Sequence, residues 1–337
     1  MKIQLKKLDE QVVVITGASS GIGLATARMA AERGARVVLN SRDEADLAEA
    51  ARSVQEAGGT AITVPGDVAD RAAMDRLAET ALRQFSRIDT WVNNAGVSIY
   101  GRLEDVALED ARRLFETNYW GVVNGSLAAL PHLRDQGGAL INVGSILSDT
   151  GYALQGHYSA SKHAVKGFTD SLRIELEHDR IPVSVTLIQP AAIDTPYPEH
   201  AKSYLGVEPT HVPPVYAPEV VARAILRSAE HPERNVLVGG GAKLFNTVER
   251  YAPRLGDRFK EATAFSGQRT DRPVEERDIL FGPRPGDGRE RGHYQGHVMR
   301  TSAYTRARLH RGETLLALAI AGAAVALLDR AGVFGGD

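Results

Sequence analysis

Thr16-Gly17-Ala18-Ser19-Ser20-Gly21-Ile22-Gly23 directly follows a β-branched run and opens a helical pattern that ends at Gly34. Glycines at such a point let the backbone approach a phosphate group closely. The free N–H groups at the start of the helix favour its negative charge. An ordinary glycine-rich turn is the alternative, but the position between a strand and a helix favours a dinucleotide-binding turn.

Around this turn, short β-branched runs alternate with helical segments up to about residue 240. This alternation predicts a parallel sheet that is covered by helices on both faces, and so an α/β, doubly wound fold. The candidate strands are Val12–Thr16, Arg36–Leu39, Ala61–Val64, Thr90–Asn93, Ala139–Val143, Val183–Ile188 and Val236–Val238. We therefore expect about seven strands in a dinucleotide-binding domain spanning residues 1–241.

Composition excludes several classes of protein. The 337 residues are 43% hydrophobic and 24% charged, which is too apolar for a disordered chain. A net charge of −2 gives no global field that would hold nucleic acid. The chain has no Cys, which fits an intracellular, cytoplasmic protein and excludes a thiolate metal site. The ten histidines lack metal-ligand spacing, so we expect no required metal.

Two segments break the regular pattern. Residues 191–218 are rich in proline and form a long loop after a strand, the kind of loop that often carries function. Residues 242–337 form a C-terminal extension that ends in an uncharged run, 314–328. This run is shorter than a bilayer span. Membrane contact and packing of a helix against protein both remain open for it.

The end of the second strand indicates which dinucleotide binds. Ser41 and Arg42 stand where NAD-binding proteins have an acidic residue for the ribose 2′-hydroxyl. An Arg there accommodates a 2′-phosphate, so NADP(H) is favoured over NAD(H). The alternative is that Arg42 is a solvated side chain paired with Asp43 or Glu44.

Tyr158 and Lys162 lie four residues apart in a helical stretch, and so on one helix face. A nearby ammonium favours the phenolate and lowers the pKa of a tyrosine. A tyrosine tuned in this way can exchange protons at neutral pH, as hydride transfer to or from a carbonyl carbon requires at the oxygen. Such a pair on its own is more often a surface pair.

Several motifs in order make residues 10–240 resemble the short-chain dehydrogenase/reductase family. They are the glycine turn, Asp67-Val68, Asn93-Asn94-Ala95-Gly96, Asn118, Ser145 and Tyr158 with Lys162. The resemblance implies a Rossmann fold. It also implies an oxidoreductase that transfers hydride between NADP(H) and a carbonyl compound or secondary alcohol.

The resemblance also implies the roles of the catalytic residues. Tyr158 would be the general acid/base, Ser145 would hold the substrate oxygen, and Asn118 would support a proton relay through water. Lys162 would hold the nicotinamide ribose and lower the pKa of Tyr158. The candidate cofactor-binding residues are Thr16, Gly17, Ser19, Ser20, Gly21, Ile22, Gly23, Ser41, Arg42, Asp67, Val68, Asn94, Ala95, Gly96, Tyr158, Lys162, Pro190, Ile193 and Thr195.

The chain departs from the family at Ala191, where the family often has a glycine after Pro190. Tyr152, Tyr197 and Tyr204 could line the substrate pocket or pack on the body of the protein. The family commonly forms dimers or tetramers, so a homo-oligomer is expected. Two other functions are alternatives: an NAD-linked alcohol dehydrogenase, and a non-catalytic dinucleotide-binding protein whose tail docks a partner or a membrane.

Overall fold

A computed structural model describes residues 3–274, 279–283 and 286–310, together with 312 and 314. Its strands are β1 Val12–Thr16, β2 Arg36–Asn40, β3 Thr60–Thr63, β4 Thr90–Asn93, β5 Ser98–Tyr100, β6 Gly138–Val143, β7 Val183–Pro190, β8 Ala192–Ile193, β9 Ala201–Ser203, β10 Val207–Pro209, β11 Val215–Tyr216, β12 Asn235–Val238, β13 Arg269–Pro273 and β14 Val298–Met299. Its α-helices are α1 Gly21–Glu32, α2 Glu44–Glu56, α3 Arg71–Phe85, α4 Leu108–Phe115, α5 Gly121–Gln136, α6 Gly156–His178, α7 Pro218–Glu230, α8 Gly240–Tyr251, α9 Pro253–Gly267 and α10 Ala303–Leu309.

Seven parallel strands form the central sheet in the order β12-β7-β6-β4-β1-β2-β3. The predicted fold class and strand number are confirmed. One face of the sheet packs against α1, α2 and α7, and the other against α3, α5 and α6. The strands are apolar throughout because both of their faces are buried.

The order of the strands indicates where on the sheet a ligand would bind. The chain reverses direction across the sheet between β1 and β4, and ligands of open α/β sheets bind at such a switch point, outside the carboxyl ends of the strands. Beside this point, Asn93 at the end of β4 links β4 to β6, because its Nδ2 donates to Asn142 Oδ1 of β6 at 2.9 Å.

The described residues after Gly239 pack around the sheet rather than forming a separate layer. Helices α8 and α9 follow β12, and β13 pairs with β10 of the proline-rich segment. Strand β14 then extends the small β8–β11 ladder, and Leu309 of α10 enters the core beside α7. The segment 191–218, predicted as a loop, is therefore interrupted by four short strands, three of which pair with one another or with the extension.

No helix among the described residues is long and apolar enough to cross a membrane. The uncharged run 314–328, for which membrane contact and protein packing are both open, lies outside the described residues except for Thr314.

Candidate active site

The segment after β4 hydrogen-bonds to the glycine turn between β1 and α1 and fixes its conformation. Asn94 Nδ2 donates to the carbonyls of Thr16 and Gly17, each at 3.0 Å, and Thr16 Oγ1 accepts from the Asn94 N–H at 3.0 Å. Gly17 has a φ of +63°, and a Cβ on Gly23 would stand 2.0 Å from the Gly17 carbonyl oxygen. This tight turn therefore requires glycine at both positions.

Tyr158 lies in the first turn of α6, nearly buried, with two other hydroxyls beside its own. The hydroxyls of Ser145, from the segment after β6, and of Tyr197, from the proline-rich segment, both lower its pKa. Burial outweighs both, so the pKa of Tyr158 is raised above its ordinary value. The sequence predicts a lowered pKa, and this expectation is wrong for the chain alone, because desolvation of the phenolate exceeds what its neighbours contribute.

Lys162 lies one turn along α6 and points its ammonium into the same space. Its Nζ donates to the Val143 carbonyl at 2.9 Å and stands 5.7 Å from the centre of the Tyr158 ring. Burial lowers the pKa of Lys162 to about 8. The ammonium is thus placed near Tyr158, as the four-residue spacing predicts, but it is not what dominates the pKa of the phenol.

Asn118 lies in a π-helical turn, Glu116–Trp120, under the Gly96 backbone. Its Oδ1 accepts from the Val97 N–H at 2.9 Å, and its Nδ2 donates to the Val97 carbonyl at 3.0 Å and to Ser161 Oγ at 3.1 Å. Both amide protons are used in these contacts. Single π-helical turns often mark functional sites.

A groove of about 200 Å³ runs along the glycine turn and the ends of β2, β3 and β4. We call it the cofactor groove. The predicted cofactor residues that line it are Gly17, Ser19, Ser20, Gly21, Ile22, Ser41, Arg42, Asp67, Val68, Asn94, Ala95, Gly96 and Thr195. The tight glycine turn at the start of α1 fits the pyrophosphate of a dinucleotide.

The extension also reaches the cofactor groove. Residues 286–292, which we call the strap, cross its mouth, and the Arg289 carbonyl accepts the Gly21 N–H at 2.9 Å. Asp46 Oδ1 and Oδ2 anchor the strap by accepting the N–H groups of Gly286 and Asp287, each at 3.1 Å. The strap thus occupies one donor at the start of α1.

Arg42 projects from the end of β2 at the edge of this groove. Its Nη1 donates to the Leu280 carbonyl at 2.7 Å and its Nη2 to the Ile279 carbonyl at 3.0 Å. Both of these hydrogen bonds are to main-chain carbonyls of the extension.

A second and larger cavity, of about 680 Å³, opens over Tyr158 and joins the cofactor groove at Ile22, Asn94 and Gly96. We call it the substrate cavity. The predicted site residues that line it are Ile22, Asn94, Gly96, Ser145, Tyr158, Lys162, Pro190, Ile193 and Thr195. Three predicted site residues line neither the substrate cavity nor the cofactor groove: Thr16, Gly23 and Asn118.

The proline-rich segment supplies aromatic walls to the substrate cavity. Tyr197 contacts the Tyr158 ring edge-on at 5.5 Å and stacks on His211 at 6.1 Å, while Tyr152 also lines the cavity. Tyr204 instead packs on the body, where its hydroxyl bonds Asp110. Ala191, where the family often has glycine, lies in the cavity wall.

Sequence reasoning missed the part of the site that comes from the extension. Apolar residues of α8 and α9 line the substrate cavity: Leu244, Phe245, Val248, Leu255 and Phe259. Their helical spacing was a detectable signal, but nothing local indicates which surface such helices cover. Among the described residues there is no cluster of three or more His, Asp or Glu that could hold a metal.

The chain also matches known proteins. The family model for short chain dehydrogenase matches residues 11–204. The uncharacterized oxidoreductase YxnA of Bacillus subtilis is 48% identical over 310 residues, which cover 91% of this chain and 87% of YxnA.

Two solved structures resemble the chain as well. A short-chain dehydrogenase/reductase from Burkholderia phymatum in complex with NAD has a TM-score of 0.67 at 25% identity, covering 81% of this chain and all of the other. An alcohol dehydrogenase from Thermococcus sibiricus complexed with 5-hydroxy-NADP has a TM-score of 0.60 at 26% identity, covering 68% and 95%.

Proposed function

Because the chain belongs to the short-chain dehydrogenase/reductase family, we propose that it is an NADP(H)-dependent oxidoreductase acting on a carbonyl compound or secondary alcohol. The observation that best supports this is the convergence of two hydroxyls, from Ser145 and Tyr197, on Tyr158 beside the buried ammonium of Lys162. That arrangement lies where the substrate cavity joins the cofactor groove.

In the proposed reaction, the nicotinamide supplies the hydride and the chain's own residues handle the oxygen. Ser145 holds and polarises the carbonyl oxygen, while Tyr158 gives it a proton as negative charge develops there. A raised pKa keeps the phenol of Tyr158 protonated at neutral pH. This is the form that carbonyl reduction needs.

Replacement of the proton is proposed to involve Lys162 and Asn118. With a pKa lowered to about 8, Lys162 can release and regain a proton near neutral pH. Both protons of the Asn118 amide are already donated, to Val97 and Ser161. A water relay at this residue would therefore use its main-chain carbonyl rather than its side-chain N–H groups.

The preference for NADP(H) is proposed from Arg42. The Leu280 and Ile279 carbonyls orient its guanidinium at the edge of the cofactor groove. A fixed guanidinium at this position would bind a 2′-phosphate by charge-assisted hydrogen bonds.

We also propose that residues 1–241 form the catalytic domain, that residues 242–337 are an extension of it, and that the chain forms a homodimer or homotetramer. The π-helical turn that carries Asn118, the helix α5 that continues it, and the helix α6 that carries Tyr158 leave large apolar side chains in solvent: Trp120, Leu127 and Ile174. Such residues on neighbouring helices are typical of an interface between subunits.

The test is oxidation of NADPH and NADH by purified protein with a panel of aldehydes and ketones. We expect turnover with NADPH that Tyr158→Phe abolishes while NADPH binding stays nearly unchanged. Tyr204→Phe is the matched control, since its hydroxyl bonds Asp110 away from the cavity. Undiminished turnover by Tyr158→Phe would contradict the assigned role. Tight binding with no turnover by the wild type would favour a non-catalytic dinucleotide-binding protein.

A further inference from the structure

The extension builds one whole side of the substrate cavity. Leu244, Phe245 and Val248 face it from α8, and Leu255 and Phe259 from α9. The volume of about 680 Å³ includes the room above Tyr158 where the nicotinamide end would lie. The remaining space extends away from Tyr158 along these two helices.

The lining carries almost no charge. Among the described residues that line the cavity, Lys162 is the only Lys, Arg, Asp or Glu, and its Nζ donates to the Val143 carbonyl. His211 is neutral at physiological pH, because burial lowers its pKa to about 4. A carboxylate or phosphate on the far side of a substrate would therefore be desolvated without a counter-ion, which is strongly unfavourable.

The rim of the cavity is apolar as well. Leu244, Leu255 and Phe259 line the cavity and yet are 68%, 60% and 51% exposed, so each side chain reaches from the interior to solvent. Exposed apolar side chains that border a pocket mark a binding surface. They favour entry of a molecule that gains free energy by leaving water.

From these three observations we infer that the substrate is an uncharged, largely apolar ketone or aldehyde, or the corresponding alcohol, with its hydrocarbon part against α8 and α9. This inference rests on the proposed function. In the reduction, hydride from NADPH adds to the carbonyl carbon, and the proton of Tyr158 adds to the oxygen. The products are NADP⁺ and an alcohol, and a proton from solvent restores the tyrosine.

Straight-chain 2-alkanones from 2-butanone to 2-dodecanone test the inference, with NADPH and full-length protein. Because burial of one methylene contributes about 0.8 kcal/mol, kcat/KM should rise about threefold to fourfold per methylene until the cavity is full. The charged comparator is 9-oxodecanoate, which has the reacting end of 2-decanone and a carboxylate at the other end. We expect its kcat/KM to be at least a hundredfold lower. Equal values for the two, or no dependence on chain length, would overturn the inference.

Two variants test whether the preference for long-chain ketones comes from the extension. Leu255→Asp and Phe259→Asp each place a charge at an exposed position of α9, so folding should be preserved while the preference for long chains falls at least tenfold. Phe265→Asp is the matched control, because Phe265 is exposed on the same helix and does not line the cavity. If all three variants behaved alike, α9 would not be the wall that the substrate contacts.

A binding experiment without cofactor separates this inference from the proposed function. The uncharged ketone dye 6-propionyl-2-dimethylaminonaphthalene should bind, should be displaced by 2-decanone but not by 9-oxodecanoate, and should bind Leu255→Asp weakly. Such binding without turnover of any ketone would support the apolar cavity and overturn the proposed reaction. Turnover of short ketones and of 9-oxodecanoate without dye binding would do the reverse.

Discussion

The ammonium of Lys162 is less favoured at its buried position than it would be in water. It is 4% exposed, and one carbonyl, that of Val143, accepts from it at 2.9 Å. Burial lowers its pKa from 10.5 to about 8, so the folded state at pH 7 carries a charge that its surroundings disfavour. Residues placed for chemistry rather than for packing commonly reduce stability in this way.

Lys162→Met should therefore stabilise the folded protein at pH 7. A shift from 10.5 to about 8 corresponds to an upper limit of about 3 kcal/mol in the free energy of unfolding. The unfolded chain binds the extra proton between pH 8 and 10.5, so wild-type stability rises with pH over that window and the gap closes. Urea unfolding at pH 7 and pH 10 measures this. A variant less stable than the wild type at pH 7 would contradict it.

Tyr197 is the residue whose hydroxyl most directly affects Tyr158. The Tyr197 hydroxyl lowers the pKa of Tyr158, so Tyr197→Phe should raise that pKa. The rising limb of the pH profile for alcohol oxidation should therefore move to higher pH. Rates measured between pH 6 and 11 check this, with Tyr204→Phe as control. An unmoved limb would leave Tyr197 only a packing role.

At the scale of elements, the end of β2 and the start of α1 are both contacted by the extension. Arg42 bonds two of its carbonyls, and Gly21 donates to the strap. The proposed preference for NADP(H) and the attachment of the extension therefore both involve the Arg42 side chain. Substitutions of Arg42 that remove its charge, or keep the charge but change its hydrogen-bond geometry, can distinguish cofactor preference from attachment of the extension.

Arg42→Ala should weaken NADPH binding at least tenfold more than NADH binding, because only NADPH has the 2′-phosphate that needs the guanidinium. Arg42→Lys keeps the charge but cannot present the planar fork that reaches both the Leu280 and Ile279 carbonyls. We expect it to keep most of the preference. Dissociation constants from fluorescence titration give the answer. Equal losses for both dinucleotides with Arg42→Ala would indicate that Arg42 only fastens the extension.

Strands that are marked by an apolar run of their own could be predicted from the sequence. Strands that form only by pairing with the extension could not. Strand β1 was predicted with its observed bounds because a buried parallel strand is a continuous apolar run. Strand β7 continues to Pro190, two residues past its predicted end, because β12 pairs with it that far. The short strands β10 and β11 have no periodicity of their own. Their partners β13 and β14 lie more than fifty residues away.

The site divides in the same way. Tyr158, Lys162 and the glycine turn could be predicted because their spacing is local and set by one helix or one turn. Phe245 and Leu255 reach the cavity through folding of distant segments, and no local pattern indicates which surface they cover. Burial also reversed the expected direction of the Tyr158 pKa shift, and burial is a property of the whole packing.

At the scale of the whole molecule, the extension is fastened to the sheet at both ends of its described course. Helix α8 leaves β12 directly, and α10 returns to pack on α7 and β12. Arg308 Nη1 pairs with Glu233 at 3.1 Å, and Leu309, 6% exposed, joins the same hydrophobic core as β1 and α1. A core that is shared in this way predicts that the extension and the sheet unfold together.

Leu309→Ala should therefore lower the free energy of unfolding of the whole protein by about 2–4 kcal/mol, as is usual for deletion of a buried leucine side chain. The loss should appear in a single transition, recorded alike by far-UV circular dichroism and by fluorescence of the two tryptophans, Trp91 in β4 and Trp120 before α5. Arg306→Ala, on the same helix, is the control and should change stability by less than about 0.5 kcal/mol. If Leu309→Ala instead produced an early transition that left the tryptophan fluorescence unchanged, the extension would unfold on its own. The wall that it adds to the substrate cavity would then be a separable part of the molecule.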